Sequence, residues 1–418
     1  MTSFSIQTFG CRVNQAEAFW WSDALQKKGL KLEKDSLQSD FVVVNSCTLT
    51  SRADSDTRSF IRKVLRLNPA AKLIVTGCYA ERAPEELQRM ARIWRVFNNI
   101  EKKNITTEIL SFASPRDEIS TSAFRSRALV KIQDGCDFGC TFCVIPSVRG
   151  KSASVRMGEI MTRIKELNAQ GFKEVVLTGI HLNSYGLDLK PRSSLLDLLH
   201  EISDIEGLPR IRLSSLDPRF LKPSLIEFIT TDKKICPHFH LSLQSGSNEI
   251  LSRMGRRINV EAYNKILSNL REKSPSASLG ADIIVGFPGE TEEEFEHTRT
   301  FLKQAPLTYF HVFSYSSRPG TAASSWKQVH DRVKKERSAS LRKMSRVKNE
   351  GFRQNFSGKE CEAVVVKKGK TQDEVLTSNY FRVCVPSSSY SEKDDVKVLI
   401  TQVDERGTRG KVLSQTHS

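Results

Sequence analysis

Asp134-Gly-Cys136-Asp-Phe-Gly-Cys140-Thr-Phe142-Cys143, followed directly by Val-Ile-Pro146-Ser-Val-Arg149-Gly150, sets three cysteines in a C-x-x-x-C-x-x-C spacing on one short glycine-bearing loop. Three thiolates on a tight loop can hold three irons of a cubane iron–sulfur cluster and leave the fourth without a protein ligand. An open iron can chelate a small molecule, as an open zinc position does. A zinc knuckle and a redox C-x-x-C are the bland alternatives. Zinc usually takes a fourth Cys or His close by, and none follows soon after Cys143. A redox pair has no use for Cys136.

Upstream of the loop, strands and helices alternate. Phe4–Phe9 reads as a strand ending at Gly10-Cys11, and Asn14–Lys28 has helical spacing. Phe41-Val-Val-Val44 is an apolar run that ends at Asn45-Ser46-Cys47, before a helical stretch from Asp54 to Leu67. Leu73-Ile-Val75 ends at Gly77-Cys78, and a helix follows from Ala83 to Met90. Parallel strands with crossover helices are the natural reading. Cys11, Cys47 and Cys78 then each lie just past the C-terminal end of a strand. In an open parallel sheet those ends share one edge, where ligands bind. A single buried cysteine is common, but three at the same strand end read as a second three-thiolate site with an open iron.

Downstream, residues 128–329 repeat a strand followed by a helix. Strands lead into the central loop, Thr178-Gly179, Ser214-Ser215, Gln244-Ser-Gly246, Gly286 and Ser314. Six such units predict a partial (β/α) barrel, whose chemistry would sit at the C-terminal strand ends. Thr178, Ser214, Ser215, Gln244 and Asp282 lie there. Each alone is more often a loop cap. As a ring they would line a pocket, and Asp282, inside its strand, needs an inward-facing polar site. His181, His238, His240 and His311 read as packed, hydrogen-bonded residues, and Cys236 as a core or surface thiol at the barrel bottom. Arg149 reads as a solvated turn, or as a bidentate contact to a carboxylate or phosphate.

The cysteine loop, with an aromatic before its last Cys, resembles the radical S-adenosylmethionine (SAM) superfamily. Thr8-Phe-Gly-Cys-Arg-Val-Asn-Gln15, Val44-Asn-Ser-Cys-Thr48 and Val75-Thr-Gly-Cys-Tyr-Ala80 are similar to the three cysteine motifs of the methylthiotransferase family, which places such a domain before a radical SAM domain. Arg12 stands where Lys is usual, off the ligand set. The resemblance implies two 4Fe-4S clusters, one on Cys11, Cys47 and Cys78 and one on Cys136, Cys140 and Cys143. It also implies SAM as methyl donor and radical source. Expected cofactor contacts are Phe142 beside the adenine, Arg149, Thr178, Gly179, Ser214, Gln244 and Asp282. The expected domains are residues 1–115, 122–352 and 355–418, with 91–127 a less readable connector.

Lys131-Ile-Gln-Asp-Gly-Cys136, Leu177-Thr-Gly-Ile-His-Leu182, His240-Leu-Ser-Leu-Gln-Ser-Gly246 and His311-Val-Phe-Ser-Tyr-Ser-Ser-Arg-Pro-Gly-Thr321 resemble the bacterial branch that modifies N6-threonylcarbamoyladenosine in tRNA, at position 37 beside the anticodon. That likeness implies methylthiolation of adenine carbon 2 by a radical, because the C–H bond there is unactivated. It implies the tRNA anticodon stem-loop as partner, with an electron donor such as flavodoxin or ferredoxin and a source of sulfur. The competing readings are a methylthiotransferase acting on isopentenyladenosine tRNA or on a ribosomal protein, and a non-enzymatic iron–sulfur RNA-binding protein.

Charge and composition agree with a polyanionic partner. The chain has 418 residues and a net charge of +16, which favours nucleic acid. Nine cysteines, an odd count, argue against a disulfide framework. Met1-Thr-Ser-Phe has no signal-peptide character, and no uncharged apolar run reaches membrane-spanning length. A cytoplasmic setting without membrane attachment is expected. Between Asp331 and Lys359 ten Lys or Arg face three acids, and Ser338–Lys348 has helical spacing, either a solvated helix or a phosphate-facing one. The last part reads as short strands, Cys361–Val366, Thr377–Val385 and Val396–Ile400, forming a small antiparallel OB-like barrel. It resembles the TRAM domain, an RNA-binding module, with Asn379-Tyr380-Phe381 placed to grip a nucleotide and Cys361 and Cys384 in its core.

Overall fold

Phe41-Val-Val-Val44 is apolar throughout because both faces of its strand are covered. Side chains alternate along a strand. Phe41 and Val43 enter a core with Phe4, Trp21, Leu25 and Ile109, while Val42 and Val44 enter another with Ile61, Val64, Leu73 and Val75. Helices Arg12–Gln26 and Ile105–Phe112 supply the first core and Ser51–Leu67 the second. The sheet order is Lys31–Leu32, Ser3–Thr8, Phe41–Ser46, Lys72–Gly77 and Arg95–Val96, all parallel. The expected Asp54–Leu67 helix begins earlier, because the Thr50 side chain accepts the Ala53 N–H as a cap. Pro84 divides the expected Ala83–Met90 helix from a preceding turn. Cys78–Arg82 and Pro84–Gln88 are separate short helices.

This computed structural model describes residues 2–90, 92–113 and 126–415. Much of the connector, including the expected domain edges at 115 and 122, lies outside the described residues. Two compact units result. The first comprises Met1–Arg125, Asp134–Ser152 and Ser316–Ser324, so the central cysteine loop shares a unit with the N-terminal sheet. The second comprises Ser126–Gln133, Ala153–Tyr315 and Ser325–Ser418.

The second unit holds six parallel strands in chain order: Ala128–Lys131, Glu174–Thr178, Arg210–Leu213, His238–Gln244, Ser278–Val285 and Tyr309–Ser314. They form two hydrogen-bonded triplets, with parallel bridges Ile211–Ile235 and Leu216–Leu241 across the join. This is the expected (β/α) arrangement. Capping boxes at Ser194/Asp197 and Thr291/Glu294 fix the starts of two outer helices.

Helix Asp331–Gln354 runs further in both directions than its apolar spacing suggests. Five strands then close a barrel: Glu360–Lys367, Gln372–Thr377, Arg382–Pro386, Asp395–Asp404 and Gly407–Gln415. The stretch Thr377–Val385, expected as one strand, is broken by a turn in which Tyr380 adopts φ +73°. That turn is not turned outward to a nucleotide. Tyr380 stacks on His238, ring centres 4.1 Å apart, with the Arg212 guanidinium 5.1 Å from its ring. Asn379 donates to the Ser276 carbonyl at 2.6 Å, and Phe381 is in the barrel core. The aromatic turn therefore docks the small barrel on the strand starts of its own unit. Cys361 is buried as expected, and Cys236, read as a core or surface thiol, is buried too. Cys384 is exposed, because it falls on the outward side of Arg382–Pro386.

The docking depends on a buried ion pair. Arg212 donates to both Glu174 oxygens at 2.7 and 2.9 Å and to the Ser378 carbonyl at 2.9 Å. Burial alone would raise the Glu174 pKa. The charge and hydrogen bonds of Arg212, with Arg127 and Arg210, outweigh burial and hold it well below the usual range. The carboxylate thus contributes stability above the ordinary glutamate pKa of about 4.3 that fades as pH falls. Removing one partner of such a pair costs about 3–5 kcal/mol. Glu174→Gln is expected to lower the urea midpoint of the second unit at neutral pH and to flatten its decline on acidification. A midpoint equal to the parent's at neutral pH would contradict this account of the docking.

Candidate functional site

Three adjacent strands of the N-terminal sheet each lead to a cysteine. Ser3–Thr8 leads to Cys11, Phe41–Ser46 to Cys47, and Lys72–Gly77 to Cys78. The turns approach so closely that glycine is required beside them. Gly10 has φ +90°, and a Cβ on it would lie 2.4 Å from Cys47 Sγ. Gly77 has φ +94°, and its Cβ would lie 2.4 Å from the Ser46 carbonyl. Asn14 holds the turns together, donating to the carbonyls of Phe9 at 2.9 Å and Ser46 at 2.8 Å. Asn45 returns a bond to the Asn14 carbonyl at 3.0 Å.

The chemistry of this donor set suits iron. Cys47 and Cys78 are buried and Cys11 is partly exposed. Burial pushes the Cys47 thiol up to about 12, and the charge of Cys11 and Cys78 adds to it. Cys78 is raised by burial too, against the pull of Arg149. Three thiolates at one mostly buried edge repel one another unless a cation shares them, and metal binding is what deprotonates them. Among the described residues no Cys, His, Asp and Glu group is arranged to clasp one metal ion. A cubane differs from such a site, since its iron atoms are spread over the cluster and each thiolate can take a different one. The residues therefore fit an iron–sulfur cluster.

The second triad lies in the same unit. The Cys143 N–H donates to the Cys140 carbonyl and the Cys136 N–H to the Gly150 carbonyl, both at 3.1 Å. All three side chains are partly exposed, and Phe142 between them is half-buried. Helix Ile145–Arg149 starts two residues after Cys143, with Pro146 in its first turn. Val144 and Val148 pack with Cys78.

Arg149 is neither a solvated turn nor turned to a free phosphate. Its side chain has no exposed surface. Nε donates to Cys78 Sγ at 3.2 Å, and Nη1 to Asp134 at 2.7 Å and Glu17 at 3.2 Å. Nη2 donates to Asn14 Oδ1. Lys102 adds a second cation, 2.6 Å from Glu17. The short helix directs Arg149 to the face that carries Cys78, which removes it from solvent.

The remaining expected residues belong to the second unit. Thr178 is fully buried, and its hydroxyl donates to the Val130 carbonyl at 3.3 Å, a sheet-holding role. A Cβ on Gly179 would lie 3.0 Å from Gln133 Oε1, which already accepts the His181 N–H at 2.8 Å. Ser214 is buried and its hydroxyl has no protein partner. Gln244 adopts φ +89° where the strand register shifts after Ser242. Asp282 lies 3.1 Å from His240 Nε2. Tyr309 OH bridges His238 Nε2 at 2.8 Å and His240 Nδ1 at 3.1 Å, and His181 pairs with Asp217 at 3.2 Å. These three histidines are packed polar residues, as read from the sequence. His311 is exposed and stacks on His240.

The chain matches the Radical SAM superfamily over residues 130–302 and the family described as Uncharacterized protein family UPF0004 over residues 3–97. A threonylcarbamoyladenosine tRNA methylthiotransferase from Aquifex aeolicus is 38% identical over 415 residues, covering 95% of this chain and 99% of its own. Proteins of the same name from Rickettsia prowazekii and Bacillus subtilis are 40% and 34% identical, over 81% and 96% of this chain and 81% and 94% of theirs. The chain belongs to the radical SAM methylthiotransferase family. Among solved structures, the radical SAM methyltransferase TsrM from Kitasatospora setae shares the fold, with TM-score 0.56, 15% identity, and coverage of 78% of this chain and 77% of that one.

For this methylthiotransferase, the sequence did not single out Arg149 as a partner of Cys78, nor Glu17, Lys102 and Asn14 around it. One signal was present. Asn14 and Glu17 lie three and six residues past Cys11, on one face of a helix that is otherwise buried. A carboxylate on such a face needs a paired cation. If the two triads hold clusters, Cys47→Ala should lower bound iron by about half after anaerobic reconstitution, while Cys236→Ala should leave it unchanged. Iron analysis giving equal contents for the parent and Cys47→Ala would remove Cys47 from the ligand set.

Proposed function

We propose that this chain is a tRNA-modifying enzyme that installs a methylthio group on carbon 2 of N6-threonylcarbamoyladenosine at position 37, next to the anticodon. The observation that carries the reading is the gathering of two cysteine triads, one at the strand ends and one on the central loop, in one compact unit. When bound, the clusters and SAM supply a radical able to replace an unactivated C–H bond, together with sulfur and a methyl group.

The chain's own residues hold and orient. Cys136, Cys140 and Cys143 would hold the SAM-binding cluster, with Phe142 beside the nucleoside part of SAM. Cys11, Cys47 and Cys78 would hold the sulfur-bearing cluster. Ser214 offers an unpartnered buried hydroxyl, and Gln244 a side chain set by a strained backbone. We assign these two, with Gly179 and Asp282, to SAM or substrate. Residues 1–115, 122–352 and 355–418 would act as the cluster, radical SAM and TRAM-like domains. Since the Asn379–Phe381 turn is used for docking, RNA contact in the third domain falls to its other surfaces.

The partner is tRNA, presented as a single-stranded anticodon loop from which the base can be unstacked. An electron donor such as flavodoxin or ferredoxin and a sulfur source complete the reaction. A cytoplasmic location fits this substrate, and among the described residues no helix is long and apolar enough to cross a membrane.

Deleting the gene should remove 2-methylthio-N6-threonylcarbamoyladenosine from digested total tRNA and leave the unthiolated nucleoside in its place. Persistence of that nucleoside together with loss of 2-methylthio-isopentenyladenosine would overturn the choice of substrate. A second expectation concerns helix Asp331–Gln354, on which Lys335, Lys343 and Arg346 are exposed. Changing all three to Gln should weaken tRNA binding and reduce the slope of log K against log salt by about 1 for every phosphate no longer neutralised. An unchanged slope would place the tRNA elsewhere.

A further inference from the structure

We propose that Arg149 is a positioning residue for the strand-end cluster. Carried by the helix that follows the Cys136–Cys143 loop, it hydrogen-bonds Cys78 Sγ and so sets the reduction potential of the cluster held by Cys11, Cys47 and Cys78. The inference rests on the reading that this triad holds a cluster.

The three sulfurs are not equivalent. Cys11 Sγ lies 3.6 Å from Asn14 Oδ1, a neutral amide. Cys47 Sγ accepts the Leu49 backbone N–H at 3.5 Å. Cys78 Sγ accepts from a guanidinium at 3.2 Å, the shortest of these contacts and the one with a cationic donor. Charge-assisted hydrogen bonds are stronger than neutral ones. A donor on a cluster sulfur withdraws electron density from it and favours the reduced state, and such bonds are among the determinants of cluster potential.

Arg149 is also held in place. Its three nitrogens are each engaged, one by sulfur, one by two carboxylates and one by the Asn14 amide oxygen. Lys102 contacts the same Glu17 oxygen at 2.6 Å, so Arg149 is not the only cation that Glu17 holds. Val144 and Val148 pack on Cys78 and keep water from the N–H···S contact. Five helical residues thus connect one triad to the other. Cys143 stands just before the helix, and its last residue touches a cysteine of the second site.

The test uses the full chain with Cys136, Cys140 and Cys143 changed to Ala, so that only the strand-end cluster remains. Arg149→Gln and Arg149→Lys are made in this background, and each protein is reconstituted anaerobically, assayed for iron and titrated potentiometrically by EPR. At equal iron content, Arg149→Gln should make reduction about tenfold less favourable, 59 mV for a one-electron couple. Arg149→Lys keeps the charge without the fork that reaches sulfur and the carboxylates together, and should shift the potential in the same direction by less. A potential in Arg149→Gln equal to the parent's overturns the inference. If Arg149→Gln holds no iron, Arg149→Lys decides alone, a lowered potential supporting the inference and an unchanged one overturning it. If the background protein with Arg149 intact binds no iron, the cluster reading itself fails and the inference falls with it.

Discussion

Mutual repulsion among three thiolates is the constraint on which the first unit is built. Cys11, Cys47 and Cys78 are brought to one sheet edge by parallel pairing of strands whose apolar runs serve two cores. The backbone then tightens around them, with Gly10 and Gly77 in positive φ because any side chain there would collide with Cys47 or Ser46. Burial makes the thiols reluctant to ionise. An edge arranged this way has little purpose without a metal centre to take the charge. Arg149, paired with Glu17 and Asp134, brings a cationic donor to Cys78 at that edge, and Lys102 shares Glu17 with it.

The same compact unit contains the loop of Cys136, Cys140 and Cys143, although the strand that leads into it, Ala128–Lys131, belongs to the other unit. The loop and its short helix are thus tied to the N-terminal sheet through Cys78, Asn14 and Glu17. In the second unit, a different solution binds the small barrel to the six strands. Arg212, Glu174 and Tyr380 form a buried, charged and aromatic contact at the strand starts. The opposite, C-terminal ends of those strands carry Ser214 and Gln244, and they are the ends at which such folds generally place their chemistry.

Much of this was legible in the sequence, because the informative signals are local. Spacing gave the central triad, and strand endings gave the second. The six strand–helix units followed from apolar runs and their polar ends. What escaped was long-range. Arg149 follows Cys143 as a turn residue would, and nothing nearby in sequence shows that Cys78 and Glu17 come to meet it. Asn379-Tyr380-Phe381 has the composition of a nucleotide-stacking turn, and only its packing on His238 and Ser276 shows that it is internal. The break of Thr377–Val385 was hidden because Tyr380, rather than a glycine, takes the positive φ.

The most direct test of the account is a single-turnover assay with the reconstituted full chain, excess reductant and SAM bearing a deuterated methyl group. Equal amounts of anticodon stem-loop RNA carrying threonylcarbamoyladenosine and isopentenyladenosine compete in one tube. Mass spectrometry should find a deuterated methylthio group on the threonylcarbamoyladenosine, with 5′-deoxyadenosine formed alongside. SAM cleavage with neither RNA thiolated, or thiolation of the isopentenyladenosine alone, would contradict it.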